Sequence, residues 1–352
     1  MVVSREMHKP RYLELFASGE LTRRRVALYA KLTACNTCPR ECGVNRFEKG
    51  NGFCRSTNLA RVAQAKPHFG EEPCITGENG SGTVFFTNCT GRCAFCQNWE
   101  ISQHGEGSDW TAESLAQAYL DLQAQGCHNI NLVTPTHYVA PIVHALELAI
   151  PRGFTLPFVY NTNGYDSVET LKLLDGIIEI YLPDLKYGED AAGLRYSAFG
   201  KLDPATKEIR AGYFSAASKA IAEMYRQVGA IALDETGLAW RGVLVRHLIM
   251  PNNVAQTRRV LEELAAISPH MAVSLMAQYF PTNRANKIPE IARGITREEY
   301  EDAVAALEEL GLGAGYVQEF SDDFGSGKDF CVPDWRDPRW ATPAAATSGS
   351  SA

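Results

Sequence analysis

The sequence has no long apolar run. A membrane-spanning helix needs about 20 mostly apolar residues. The best stretch, Asn131 to Ile150, is interrupted by His137, His144 and Glu147. No membrane span is expected. The opening segment MVVSREMHKPRYLELF lacks the apolar core of a secretory signal, and the expected location is the cytoplasm. Positive charge is not in excess. Lys and Arg number 34 against 41 Asp and Glu, a formal net charge of −7, which argues against a general nucleic-acid binder. There is no internal repeat. Apolar residues make up 45% and charged residues 21% of 352, ordinary for a globular chain of one large domain plus a module. Cysteine is the residue that is not scarce: there are 10. In a cytosolic chain these are not expected to be disulfides. Their spacing has to explain them.

Residues 11–32 have a helical apolar pattern, with Leu13, Leu15, Phe16, Leu21, Val26, Leu28 and Leu32. Residues 33–60 are polar, cysteine-rich and glycine-rich. From residue 82 onward short apolar runs alternate with helical patterns. The runs are Val84–Phe86, Asn129–Val133, Phe158–Tyr160, Ile177–Leu182, Gly242–Met250, Ala272–Met276 and Gly315–Val317. The helical patterns are Ala112–Gln125, Val139–Ile150, Val168–Asp175, Ser215–Val228, Thr257–Ile267 and Thr296–Leu310. Thr296 and Glu299 have the spacing of a capping box. Leu238–Gly242, after the turn-like Asp234–Gly237, predicts a small hairpin. Alternating strands and helices predict an α/β fold with a parallel sheet or barrel. The expected division is an N-terminal helix and cysteine-rich module over 1–66, a core over 67–320 and an extension over 321–352, whose end is low in complexity.

Cys89, Cys93 and Cys96 directly follow an apolar strand, in Cys-Thr-Gly-Arg-Cys-Ala-Phe-Cys. Cysteine thiolates are the usual ligands of iron–sulfur clusters. Three on one loop leave one iron of a four-iron cube without a protein ligand, and an open position is what a reactive metal site needs. The bland alternative is a zinc knuckle that borrows a distant fourth cysteine.

Cys-x3-Cys-x2-Cys after the first strand of an α/β barrel resembles the signature of the radical S-adenosylmethionine (SAM) superfamily. Cys96-Gln97-Asn98, Asn161-Thr-Asn-Gly164, Tyr181-Leu-Pro-Asp-Leu-Lys186 and Val245-Arg-His-Leu-Ile-Met-Pro251 resemble segments of its pyruvate formate-lyase activating enzyme group. The resemblance covers roughly residues 68–320. It implies a partial (β/α)6 barrel, a 4Fe–4S cluster on Cys89, Cys93 and Cys96, and SAM as cofactor. It further implies that Phe95 packs near the adenine, that Asp184 and Lys186 face the methionine end, and that Arg246 lies near the carboxylate. Gln278 would fall near the ribose, and Asn163 belongs to the Asn-Gly strand end. The family's Gly-Gly-Glu at the second strand is replaced here by Val133-Thr-Pro-Thr-His137, where Thr134 and Thr136 could supply hydroxyls or carbonyls. Asn161 stands where the family has an aspartate that helps bind a monovalent cation, which puts that site in doubt. For each there is a plainer alternative: Asp184 and Lys186 as a surface pair, Arg246 as a strand cap, His137, His144 and His247 as packed residues.

Cys35, Cys38, Cys42 and Cys54 form a self-sufficient set of four thiols, suited to zinc or an auxiliary iron–sulfur cluster. Cys74, Cys127 and Cys331 stand alone and are expected to be packing residues. From Arg23 to Lys66 ten basic residues face only Glu41 and Glu48, which suggests either a solvated face or a docking surface for an acidic electron donor such as flavodoxin or ferredoxin. The functional expectation is reductive cleavage of SAM to a 5′-deoxyadenosyl radical that abstracts hydrogen, with a glycyl-radical protein as the favoured substrate. The alternatives are radical modification of another peptide or small molecule, and a non-catalytic metal-binding scaffold. No catalytic residue can be named from the sequence.

Overall fold

The computed structural model describes residues 9–48, 52–203, 205–206 and 208–321; Cys331 and nearly all of the expected C-terminal extension lie outside them. Twelve strands are present among these residues: β1 Ala60–His68, β2 Ser81–Phe86, β3 Ser108–Trp110, β4 Ile130–Val133, β5 Phe158–Thr162, β6 Ile180–Pro183, β7 Gly200–Leu202, β8 Ile209–Ala211, β9 Ala232–Leu233, β10 Ala239–Leu248, β11 Ala272–Met276 and β12 Gly315–Val317. The main sheet runs β12-β11-β10-β6-β5-β4-β2-β1-β3, with β9 paired to β10 as the expected hairpin. Neighbours from β2 through β4, β5, β6, β10 and β11 to β12 are all parallel. This is the mixed α/β architecture and partial barrel expected, with the three-residue β12 as a short seventh parallel strand. Parallel strands with helical crossovers bring their C-terminal ends, and the loops that follow them, to one rim.

The apolar runs become strands because both faces of this sheet are covered. Along β10, Val243 and Val245 join the large core under the helices, while Leu244 joins a second cluster with Cys74, Ile75, Val159, Ile180, Leu182, Ala239 and Ala272. Alternation across one strand thus separates an outer core from the barrel interior. The short helix Pro73–Thr76 supplies Cys74 and Ile75 to that interior. The capping box on Arg297–Glu309 is complete: Glu299 N–H donates to Thr296 Oγ1 at 3.2 Å, and Thr296 N–H donates to Glu299 Oε2 at 2.8 Å.

Several features differ from the sequence reading, among them the following. The N-terminal helical pattern is two helices, Tyr12–Ala17 and Glu20–Ala30, broken at Gly19, whose φ of 75° favours glycine. β1 was not anticipated. It crosses the expected 66/67 boundary and pairs antiparallel with β2, so the module continues into the core sheet. The β7–β8 hairpin was also missed. It is three residues a side, with Leu202 and Ile209 exposed, so its pattern lacks a buried face.

Candidate functional site

The loop after β2 carries Cys89, Cys93 and Cys96. It is held by backbone bonds to the end of helix Asp190–Ser197: Arg92 N–H donates to Ser197 O and Ala94 N–H to Tyr196 O, each at 2.8 Å. Gln103 Nε2 donates to Cys93 O at 2.9 Å, and Ser102 Oγ lies 3.1 Å from Cys96 Sγ. The β5 end reaches the same loop. Asn163 Nδ2 lies 3.3 Å from Cys89 Sγ and 2.9 Å from Thr90 Oγ1. The next residue, Gly164, has a φ of 78°, and a Cβ there would collide with the Asp184 carbonyl. Asp184 and Lys186, after β6, form an ion pair at 2.6 Å. Tyr213, fully buried, ties these ends together. Its hydroxyl accepts from Lys186 N–H at 3.0 Å and lies 2.9 Å from Asn163 O and 3.1 Å from Asp184 O.

Burial and the neighbouring charges set the protonation of these thiols. Burial pushes Cys96 up to about 12, with Cys93 adding to the effect. Burial also raises Cys93, opposed by the Lys186 charge. Such thiols stay protonated until a metal replaces the proton. Burial alone would lower Lys186, but Asp184 and the Cys93 thiol outweigh it and hold the ammonium above its ordinary value. A cation is therefore fixed beside the thiols. Three thiols on one loop, a cation and an amide donor fit an anionic cluster that leaves one iron for a cofactor.

Residues 83–231 match the family model described as the Radical SAM superfamily. That segment, which includes the Cys89–Cys96 loop, is similar to a radical SAM domain. An uncharacterized protein of Methanocaldococcus jannaschii is 29% identical over 288 residues, 79% of this chain and 75% of that protein. Among solved structures, HydG, a maturase of the [FeFe]-hydrogenase, is 14% identical with a TM-score of 0.45, covering 69% of this chain and 53% of that one. The chain thus spans about half the length of HydG. Native anSMEcpe with bound AdoMet is 10% identical with a TM-score of 0.43, covering 66% of this chain and 61% of that one.

The other residues expected from the resemblance fall into two groups. Phe95 is 7% exposed and packs on Tyr279, ring centroids 5.7 Å apart. Gln278 lies nearby, its carbonyl 3.5 Å from Gln97 Nε2 and its Oε1 accepting from Gln318 at 3.0 Å. Thr134, at the end of β4, has a φ of 59°, an outlier for a β-branched residue and of a kind that clusters at functional strand ends. Thr136 is different. It is buried, and its hydroxyl is 3.1 Å from Thr162 Oγ1, beside the buried Asp166. Arg246 also has another occupation. Its Nε donates to Glu72 Oε1 at 2.8 Å, and its Nη2 pairs with both Glu71 and Glu72. The expected contact with a cofactor carboxylate would compete with two carboxylates already present. Burial pushes Glu72 up, but Arg246 outweighs it and leaves the carboxyl below its usual range. Glu71 and Glu72 were missed from sequence, where two adjacent acids before a strand look like a solvated turn. His137 and His247 are packed, as expected: His137 Nε2 is 3.0 Å from Thr87 O, and His247 sits between Leu185 O and Thr257 Oγ1.

Cys35, Cys38, Cys42 and Cys54 all line one cavity, together with Arg40, Arg46, Thr90 and His137. Among the described residues no three Cys, His, Asp or Glu side chains already stand at the spacing of a bound ion. The four thiols are gathered around a common space without being closed on a point. The module touches the triplet loop directly. Arg40 Nη2 donates to Thr90 O at 3.1 Å, Arg92 Nη2 donates to Phe53 O at 2.8 Å, and both guanidinium groups lie on the Phe53 ring. The basic run is consequently less of a free surface than its composition suggests. Arg40 and Arg46 are buried, Arg25 pairs with Glu147, and Arg61 pairs with Asp109 at 3.0 Å.

Proposed function

We propose that this chain cleaves S-adenosylmethionine reductively and uses the resulting 5′-deoxyadenosyl radical to abstract hydrogen from a substrate. The observation that carries this reading is the meeting of Asn163 and the Asp184–Lys186 pair with the Cys89–Cys96 loop at one rim of the barrel. Cys89, Cys93 and Cys96 would hold the cluster, which when bound supplies the electron for the cleavage. A low-potential donor such as flavodoxin or ferredoxin would supply that electron in turn. Asp184 offers an acceptor to an amino group, and Lys186 a donor to a carboxylate, so the pair suits the methionine end of the cofactor. Phe95 and Tyr279 offer apolar ring surface for an adenine. Tyr213 orients these groups through backbone bonds to both strand ends.

Activation of a glycyl-radical protein is the substrate class we favour. Its support is the likeness of residues 161–164, 181–186 and 245–251 to the activating-enzyme group. The experiment is anaerobic reconstitution with iron, sulfide and a chemical reductant, followed by chromatographic assay of 5′-deoxyadenosine, with and without glycyl-radical proteins. We expect 5′-deoxyadenosine from the parent and none from Cys93→Ala. A Cys93→Ala protein that cleaves the cofactor at the parent rate would overturn the reading.

A further inference from the structure

The cavity of the four-cysteine module contains an electrostatic problem that its visible partners do not solve. Arg46 is 1% exposed and Arg40 7% exposed. Neither forms an ion pair with a carboxylate among the described residues. Arg46 donates to the carbonyls of Ser56 and Thr57, and Arg40 to those of Thr90 and Ala198. Each also keeps a buried N–H with no acceptor, Arg46 Nη1 and Arg40 Nε. Two buried positive charges with unmet donors are costly unless an anion completes them. Both line the cavity of the four thiols.

A hydroxyl also lies beside one of the same sulfurs. Thr37 Oγ1 is 3.4 Å from Cys35 Sγ. Four thiolates around a divalent ion carry a net double negative charge, which two guanidinium groups neutralise. The space is small. At about 10 Å³, near the volume one water needs, it suits a single ion.

We propose that Cys35, Cys38, Cys42 and Cys54 bind one divalent ion of the zinc type as a tetrathiolate, and that Arg40 and Arg46 balance its charge as donors to the sulfurs. Loading exchanges four thiol protons for the ion and draws the sulfurs together. The site is closed, with no position for a substrate. Through Arg40 and Phe53 it fixes the module against the loop of Cys89. The proposal does not depend on the chemistry read at that loop.

The test uses the full chain with Cys89, Cys93 and Cys96 all replaced by Ala, so that iron has no other home. Zinc, iron and acid-labile sulfide are measured after anaerobic purification. We expect one zinc per chain, no sulfide, and sulfur neighbours at about 2.3 Å by X-ray absorption. Iron with sulfide in this variant, or no retained metal, would overturn the proposal. If the triple variant does not fold, the reconstituted parent decides: zinc beside one cluster supports it, and two clusters without zinc refute it. Arg46→Met tests the charge balance in a chelator competition. Zinc affinity should fall roughly 10–100-fold, while Arg55→Met, an exposed arginine of the same module, should leave it unchanged. Equal affinity in Arg46→Met and the parent would remove the role given to Arg46.

Discussion

Replacing Tyr213 with Phe removes one oxygen and little else. The ring keeps its neighbours, Phe199 at 4.6 Å, Tyr187 at 5.6 Å and Tyr165 at 6.3 Å between centroids, so no cavity of note is created. What is lost is the acceptor for Lys186 N–H and the donor shared by the Asn163 and Asp184 carbonyls. A buried donor left unsatisfied costs about 1–3 kcal/mol, and the unfolding free energy should fall by that amount. The loss falls on the two strand ends assigned to the cofactor. If the binding geometry becomes only about one-tenth populated, the apparent Kd for S-adenosylmethionine rises about tenfold, or about 1.4 kcal/mol. Iron content should not change, because no thiol is touched. Tyr12→Phe is the control. It also loses a buried hydroxyl bond, to Leu156 O at 2.9 Å, ahead of β5 and thus at the opposite end of the strands. It should lower stability without affecting cofactor affinity. Denaturant unfolding and anaerobic calorimetric titration give both quantities. A Tyr213→Phe protein with parent Kd, or one weakened no more than Tyr12→Phe, would refute the reasoning.

Arg246→Met leaves Glu71 and Glu72 buried without their cation and should cost about 3–5 kcal/mol of stability; adding Glu71→Gln and Glu72→Gln should recover much of it, and no recovery would argue against the pairing. Burial lowers His247 to about 4, so the folded ring stays neutral while an unfolded one takes a proton below about 6.5. Stability should therefore fall as pH drops from about 6.5 towards 4, by up to about 3 kcal/mol in all, and a His247→Asn variant should show a shallower slope in unfolding measured at pH 7 and pH 5. If the parent and variant slopes coincide, His247 is not the group responsible. Reduction of the reconstituted cluster by flavodoxin should slow as salt rises, since screening shortens electrostatic steering; with Arg25, Arg40, Arg46 and Arg61 already paired or buried, the dependence should be shallower than a ten-charge patch would give, and a steep one would locate the docking face there after all.

The sequence by itself determined the alternation of strands and helices, the capping box at Thr296 and the two cysteine sets. These are local facts. A strand buried on both faces must be continuously apolar, a cap needs its partner three residues on, and ligands on one loop need short spacing. Tertiary structure decided what the charged and polar residues do. Arg246 and Glu72 lie 174 residues apart in the chain, and nothing in either neighbourhood announces the other. Tyr213 sits on an amphipathic helix like any core aromatic, and only the register of β5 beside β6 brings the Asn163 and Asp184 carbonyls to its hydroxyl. Arg40 and Arg46 counted as surface charge in the sequence, yet they are buried against the thiols because β1 carries the module back onto the β2 loop. The reason is the same in each case. Hydrophobic periodicity is written residue by residue, whereas the partner of a buried charge is set by which distant strand ends the fold brings to one place.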